Sequence, residues 1–530
     1  MRRLFARFGN DQTGAVAPIY VLSLVGLIAM AGIGYDFAQM ATLDTELQNA
    51  ADQAALAAAT QLGGTSTAIA DATSAASTLV SNSSVMAEDG GSNTLAIALL
   101  TFYSTKADAE AETNGFTAAA QSASAKYVKV TLAARRAKYT LTPIVGLLMS
   151  PSLNAAATAG LGSSICKVPP VMVCNPAEGS DPTFSANYVG KGLRLISVQN
   201  SGGNWASGNF GYIDVNGTAG NSLLALKQSL AWISPPGDCL AESGIKTKPG
   251  ANASVTDALN TRFDMYDSGG PGGSACPSGG SCPPSTNTVK DVVRSSTSNN
   301  CTTGPQGWQE STGPYLPSPS TRLPLTTPQA MGHPRDICHS VSSSGDCAGG
   351  IVGDGNWDRT TYFAVNYPGF NWQAAMTSAF ATTSPTRFQV YRWEVSHSAD
   401  TYTNSTTHQS TTIGAARVAE STGNGKNAIS MMDNKGPVCT TPGINPVTGS
   451  TDRRTFPVAV VNCIANGVDG SSSNVPVVKW MNVFLVEPSL NRGRTAASDV
   501  YVEGVSVSIV GNGDAGNNQV VRRDKPYLVK

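Results

Sequence analysis

Between Asp11 and Asp36 the chain carries no Asp, Glu, Lys or Arg, and Ala15 to Ile33 is apolar apart from Tyr20, Ser23 and several small residues. A helix of roughly 20 residues crosses the hydrocarbon layer of a bilayer, so this run is long enough to span one. Arg2, Arg3 and Arg7 precede it. From Asp36 through Thr105 the sequence holds Asp36, Asp44, Glu46, Asp52, Asp71, Glu88 and Asp89 but neither Lys nor Arg. By the positive-inside rule this asymmetry keeps the N-terminus cytoplasmic and sends the rest across. The expectation is a stub over 1–14 and a transmembrane helix over 15–35, with Ala15, Ile33 and Asp36 as its limits. A cleavable signal peptide competes, because a basic head, an apolar run and the small-residue stretch Ala29 to Gly32 are all present. Cleavage after Ala31 would interrupt a helical pattern that continues straight through it, which favours a retained anchor.

Met40, Leu43, Leu47, Ala50, Ala54 and Ala57 recur at alternating steps of three and four, and no Gly or Pro falls between Tyr35 and Leu62. Such spacing predicts one apolar stripe on an Ala-rich helix continuous with the membrane segment, stopped by Gly63-Gly64. The stripe suits two uses, packing on the protein's own sheet or lateral contact with a partner helix.

The stretch "RFGNDQTGAVAPIYVLSLVGLIAMAGIGYDFAQM" followed by "LQNAADQAALAAA" resembles the TadG-like proteins of the Tad (tight adherence, Flp pilus) assembly system. The signature covers Arg7 to Ala59, about a tenth of the chain. The resemblance implies a single-pass bacterial inner-membrane protein with its bulk in the periplasm, a pilin-like stem over 36–162, and a non-enzymatic role in pilus assembly that supports adhesion and biofilm formation. Its implied partners are the inner membrane, pseudopilins and other pilus machinery. Two departures limit what carries over. Counting from Gly14, the glutamate that prepilin processing uses is replaced by Ile19, although Tyr20 follows as in pilins. A von Willebrand A metal motif is matched only by Asp469, Ser471 and Ser473 in "VDGSSSN", with too little chain after it to complete such a domain, so a Gly/Ser loop between two strands is expected there.

From Thr65 to Gly162 the chain is rich in Ala, Ser and Thr. "NTLAIALLTFYS" and "KYVKVTLAARRAKYTL" read as strands, the second alternating Tyr127 and Lys129 with Val128, Val130 and Leu132. A composition shift then marks a second unit over 163–530, since all ten cysteines lie from Cys166 onward and all seven tryptophans from Trp205 onward. "GLRLISVQ", "RFQVYRWEVSH", "FPVAVVNCIA", "VPVVKWMNVFLVEPS" and "SDVYVEGVSVSIVG" are β-branched or aromatic runs that predict strands. Asn252 to Asp264 predicts a helix capped by Ser254, and Asp267 to Pro284 and Ser295 to Pro328 predict surface loops. The fold class is therefore α+β: one transmembrane helix, a pilin-like α+β stem and a disulfide-containing β-rich domain.

A formal net charge of -1 and only 13% charged residues give no field for nucleic acid. Outside the cytoplasm an even cysteine count reads as disulfides. Neighbouring spacing suggests Cys166 with Cys174, Cys276 with Cys282, Cys338 with Cys347 and Cys439 with Cys463, leaving Cys239 and Cys301. The cluster His333, Cys338, His339 and Cys347 lacks zinc-ligand spacing, and Asp354, Asn356 and Asp358 lack the rest of a calcium loop, so no metal is assigned. Without G-x-S-x-G, HExxH or P-loop motifs no catalytic residue or cofactor is assigned either, and a periplasmic hydrolase has no motif behind it. Trp205, Trp308, Trp357 and Trp372 fill a β core on one reading. On the other they lie on loops and give the second domain a glycan or cell-wall contact, the property of a surface adhesin released by cleavage at Ala31.

Overall fold

A computed structural model describes residues 16–63, 65–80, 94–139, 150–166, 169–185, 187–196, 209–214, 223–236, 240–241, 244–250, 255–267, 271–272, 275–295, 301–304, 307–341, 347, 351–413, 429–430, 452–492, 499–507 and 521–529. In chain order its main elements are helices α1 (Val16–Ala59) and α2 (Ala68–Val80) and strands β1 (Ile97–Tyr103), β2 (Tyr127–Leu132), β3 (Ala156–Cys166), β4 (Met172–Cys174) and β5 (Gly192–Ile196). Then come helices α3 (Leu223–Ala231), α4 (Arg359–Asn366), α5 (Trp372–Phe380) and α6 (Arg387–Ser396), followed by strands β6 (Thr455–Val461), β7 (Val477–Leu485), β8 (Val500–Val507) and β9 (Val521–Leu528). The chain forms two compact units, Met1–Gly162 with Asp524–Lys530, and Ser163–Arg523.

In the first unit α1 is one unbroken helix of 44 residues, about 66 Å long, as its lack of internal breakers predicts. It closes in tightened turns, where the N–H groups of Gln61 and Leu62 donate to the carbonyls of Ala58 and Ala59. Ala68, Ile69, Ala72, Ala76 and Val80 make the buried face of α2. Alanine on both helices lets them approach closely. The sheet beside them has the strand order β1-β2-β3-β9, with β1/β2 and β2/β3 antiparallel. Val128, Val130 and Leu132 of β2 are buried and the alternate residues half-buried, the period-two pattern read from the sequence. The last strand, β9, sits beside β3 in this sheet, where the Val529 N–H donates to the Thr158 carbonyl at 2.7 Å and the Tyr527 hydroxyl meets that of Tyr127 at 3.3 Å. The final residues thus join the first unit, whereas a second domain running to Lys530 would exclude them.

The second unit is built on the sheet β4-β6-β7-β8-β5, antiparallel except for β4 beside β6. Every residue of β6 is buried, so it reads as a continuous apolar run and not as an alternation. One face of the sheet, including Val173, Leu195, Val458, Val460, Val483 and Val502, packs into the largest core cluster. The other face carries Met172, Ala459 and Trp480 in one cluster and Phe484 and Tyr501 in another.

Three expectations are corrected in this unit. "RFQVYRWEVSH" forms helix α6 and not a strand. Its start is fixed by a capping box between Thr386 and Gln389, and Arg387, Val390, Tyr391 and Glu394 are buried at helical spacing. The helix expected over 252–264 shrinks to one turn, Asp257–Asn260, followed by a 3₁₀ turn, and Ser254 lies outside the described residues. Within the expected loops Cys276, Cys282 and Trp308 are core residues.

Candidate functional site

On α1 the residues from Ile19 to Phe37 are exposed on every side of the helix, among them Leu22 at 72% and Met30 at 71%. A soluble helix hides an apolar stripe and wets the opposite face, but here the large apolar side chains are exposed on all sides, and only Gly32 and Asp36 are buried. The candidate span beginning at Pro18 is uncharged up to Asp36. Val16 to Phe37 would extend about 33 Å, close to the thickness of a bilayer's hydrocarbon core. At Asp36, itself buried, the character of the helix changes. Beyond it Leu43, Leu47 and Ala54 of the expected stripe are buried, while Met40, Ala50 and Ala57 are only half-buried. The covered stripe runs instead through Ala51, Ala55, Ala58 and Ala59, against α2 and β2. Of the two uses the spacing allowed, this part of α1 serves its own unit's core. Ala15 lies outside the described residues, and Ile33 is exposed.

The second unit's polar centre is a buried charge cluster that composition does not announce. Arg387, on the first turn of α6, pairs with Asp336 and, at 2.8 Å, with Glu503 of β8; all three side chains are fully buried. The other Asp336 oxygen accepts the backbone N–H of Gly192 at 3.0 Å and of Gly355 at 2.8 Å. This approach needs glycine at 192 and 353, since a Cβ at Gly192 would strike the Tyr501 hydroxyl and one at Gly353 would strike Asp336. Glu503 also accepts the N–H groups of Arg387 and Phe388, so one carboxylate caps the positive end of α6 while neutralising its first side chain. Burial raises the Asp336 carboxyl, but Arg387 and the two N–H groups outweigh it and hold it below the usual carboxylate range. Burial likewise opposes the Arg387 charge, and the two carboxylates overcome it and raise its pKa.

Beside this cluster Arg335 donates from Nε to Glu487 at 2.8 Å and from Nη1 to Asp499 at 3.3 Å, and Arg194 reaches Asp499 at 3.4 Å. Arg262 and Arg453 turn instead to the terminal carbonyls of α3, at Leu230 and Ala231, which no longer have helical partners. Burial pushes Arg453 down to about 10. A cavity of about 40 Å³ is lined by Tyr315, Met331, His333, Arg335, His339 and Glu487, among others. It has room for ordered water and is far below the roughly 300 Å³ at which ligand pockets begin. Both histidines are neutral, since burial drives His333 well below its ordinary value and His339 to about 3.

Three disulfides are defined among the described residues: Cys174–Cys463, Cys276–Cys282 and Cys338–Cys347. The last two are the neighbour pairs expected. Cys174 pairs across 289 positions, which overturns its assignment to Cys166 and that of Cys463 to Cys439. Sheet adjacency decides the matter, because Cys174 ends β4 directly opposite Val461 of β6, two residues before Cys463. Cys301 is also disulfide-bonded, whereas the Cys166 side chain, Cys239 and Cys439 lie outside the described residues. Asp354 forms a turn by accepting the Asn356 N–H, and Asp358 caps α4. Asp469 to Ser473 lie in the loop between β6 and β7, as expected. Trp308 and Trp357 are core residues, Trp372 is half-buried and stacks on Phe363, and Trp205 lies outside the described residues. The two core indoles offer no face to a sugar.

These features define a two-unit α+β protein whose long apolar helix runs on into a helix-on-sheet module and whose larger, β-rich unit is closed by disulfides. Residues 14–61 match the family described as putative Flp pilus-assembly TadE/G-like, overlapping the stretch from Arg7 to Ala59 whose residues carry the resemblance. No curated protein and no solved structure gives a match. The matched domain supports a role in pilus assembly, and it covers the uncharged run of α1 and most of the stripe that builds the first unit's core.

Proposed function

We propose that the protein is a non-enzymatic, inner-membrane-anchored component of a Tad/Flp pilus assembly system. Its N-terminus is cytoplasmic, its bulk is periplasmic, and the assembly it serves supports surface adhesion and biofilm formation. The observation that carries this reading is the character of α1, uncharged with its large apolar side chains exposed on all sides from Ile19 to Tyr35 and then unbroken into a stripe that is the core of a folded unit. A cleaved leader has no need of that continuity. The uncovered segment would supply lateral contacts to pseudopilins or other membrane components, while the buried stripe from Leu43 onward is committed internally. Asp336, Arg387 and Glu503 are satisfied by one another and by backbone, as in a structural bolt. This supports a non-catalytic second unit.

Fractionation with N-terminal sequencing tests the anchor. The intact N-terminus, Met1 or Arg2, is expected in the inner-membrane fraction. A mature chain beginning at Gly32 in the medium would establish the released adhesin instead, and a start at Ala15 would establish prepilin-type processing. Loss of pili on deleting the gene tests the assembly role.

A further inference from the structure

Cys338, His339 and Cys347 bring two sulfurs and one imidazole nitrogen within 4.8 Å of one another, and the Cys338 sulfur also lies 3.7 Å from Asp354 Oδ1. While the two sulfurs are bonded to each other they are poor ligands, because metals take the thiolate. The imidazole is nonetheless arranged like a ligand. His339 is buried, its Nδ1 is held by the Tyr501 hydroxyl at 2.9 Å, and its Nε2 is buried without a hydrogen-bond partner. Fixing one ring nitrogen through an outer partner and leaving the other bare is how metal-binding histidines are held. The Tyr501 oxygen accepts the Asp336 N–H at 3.0 Å and so is anchored from the other side.

We propose that reduction of Cys338–Cys347 converts this corner of the second unit into a site for a borderline divalent cation of the zinc class, held by the Cys338 and Cys347 thiolates and His339 Nε2. Asp354 or water completes a tetrahedron. A dithiol reductant delivers two electrons and two protons to the S–S bond and leaves as its own disulfide. The cation then displaces both thiol protons to solvent. With Nε2 on the metal, the imidazole proton sits on Nδ1 and is donated in a hydrogen bond to the Tyr501 oxygen. With metal–ligand bonds of about 2.0 to 2.3 Å, a tetrahedral site needs ligand atoms roughly 3.6 Å apart, so the sulfurs must separate and the nitrogen close in slightly. Cys347 is only partly buried. Two thiolates balance a divalent ion, so loading adds no net charge beside Arg335 and Arg387. Reoxidation withdraws the thiolates and expels the metal, making the site a redox gate.

The test uses the full chain in detergent, reduced with a non-chelating reductant and titrated with Co²⁺ as a spectroscopic stand-in for Zn²⁺. One equivalent is expected to give intense tetrahedral bands with thiolate-to-cobalt charge transfer, bleached by Zn²⁺ and missing from the oxidised chain. Cys347→Ser should abolish the charge-transfer signature of a two-thiolate site, and Tyr501→Phe should weaken binding by about 10- to 100-fold while keeping the same spectrum. Far-ultraviolet ellipticity checks that each variant folds. His339→Gln, which keeps a polar side chain of similar reach, should lose the tetrahedral bands. The proposal is overturned by equal binding to oxidised chain, by an unchanged spectrum in Cys338→Ser/Cys347→Ser, or by a folded, reduced chain that gives no tetrahedral bands.

Discussion

Truncating Arg387 to alanine would leave the carboxylates of Asp336 and Glu503 buried without their cation. Breaking a buried pair in this way costs about 3 to 5 kcal/mol, more than replacing the whole group by well-packed apolar residues. An unfolding free energy lowered by that amount in urea titration is expected for Arg387→Ala; a change under about 1 kcal/mol would show that the cluster is solvated. Acid should weaken the same region. The folded pKa of His339 lies near 3 because burial disfavours its charge, with Arg194, Arg335 and Arg387 adding to the effect. An imidazole in the unfolded chain titrates near 6.5, so the unfolded state binds the proton first as pH falls. Stability should therefore drop by up to about 1.4 kcal/mol per pH unit between roughly 6.5 and 3. Asp336, held below its ordinary value, adds a loss confined to pH below about 4. His333, also driven below its ordinary value by burial, adds a loss of the same sign, so urea titrations from pH 7 to 4 should show a shallower slope in His339→Gln than in the parent chain. None of these side chains was legible as a core group. Sequence patterning assigns Arg, Asp and Glu to the surface, and only the fold shows which of them have neutralised one another.

Among the elements, α1 divides the predicted stripe unequally, and mutation should report that division. Leu47→Ala removes a fully buried side chain facing α2 and β2 and should cost about 2 to 5 kcal/mol. Ala54→Leu should cost about 1 to 3 kcal/mol by overpacking, while half-buried Ala57 should accept leucine with little change in thermal midpoint. Equal tolerance at 54 and 57 would contradict the packing seen. The helical period was legible because apolar spacing in an Ala-rich run without breakers leaves few alternatives. The stripe's drift toward Ala51 and Ala58 was not, since alanine is too common there for burial to be assigned residue by residue. Helix α6 was misread because Phe388, Val390 and Tyr391 satisfy a strand pattern as readily as a helical one. Its readable signal was Thr386 with Gln389 three positions on, the capping box that the structure uses.

At the level of the whole molecule, the second unit is an insertion in sequence between β3 and β9, two neighbouring strands of the first unit's sheet. Sequence adjacency misleads in both units for one reason, that sheets join segments far apart in the chain. It misassigned Cys174 as it misassigned Asp524–Lys530. Peptide mapping without reduction should recover Cys174 cross-linked to Cys463, and a Cys166–Cys174 peptide would refute the β4/β6 pairing. The terminal strand carries a sharper test. A chain ending at Val520 would lose the hydrogen bond from Val529 to Thr158 and the Tyr527 contact on Tyr127, uncovering the edge of β3 around Thr158. Amide exchange in β3 from Ala157 to Gly160 should then quicken by about tenfold or more, because a strand that loses a neighbour opens at lower free energy. Exchange in β6 and β7 should stay as it was, since their partners all lie between Met172 and Val507. Unchanged protection in β3 would mean that β9 adds nothing to the sheet. Loss of protection in both units together would mean that they unfold as one.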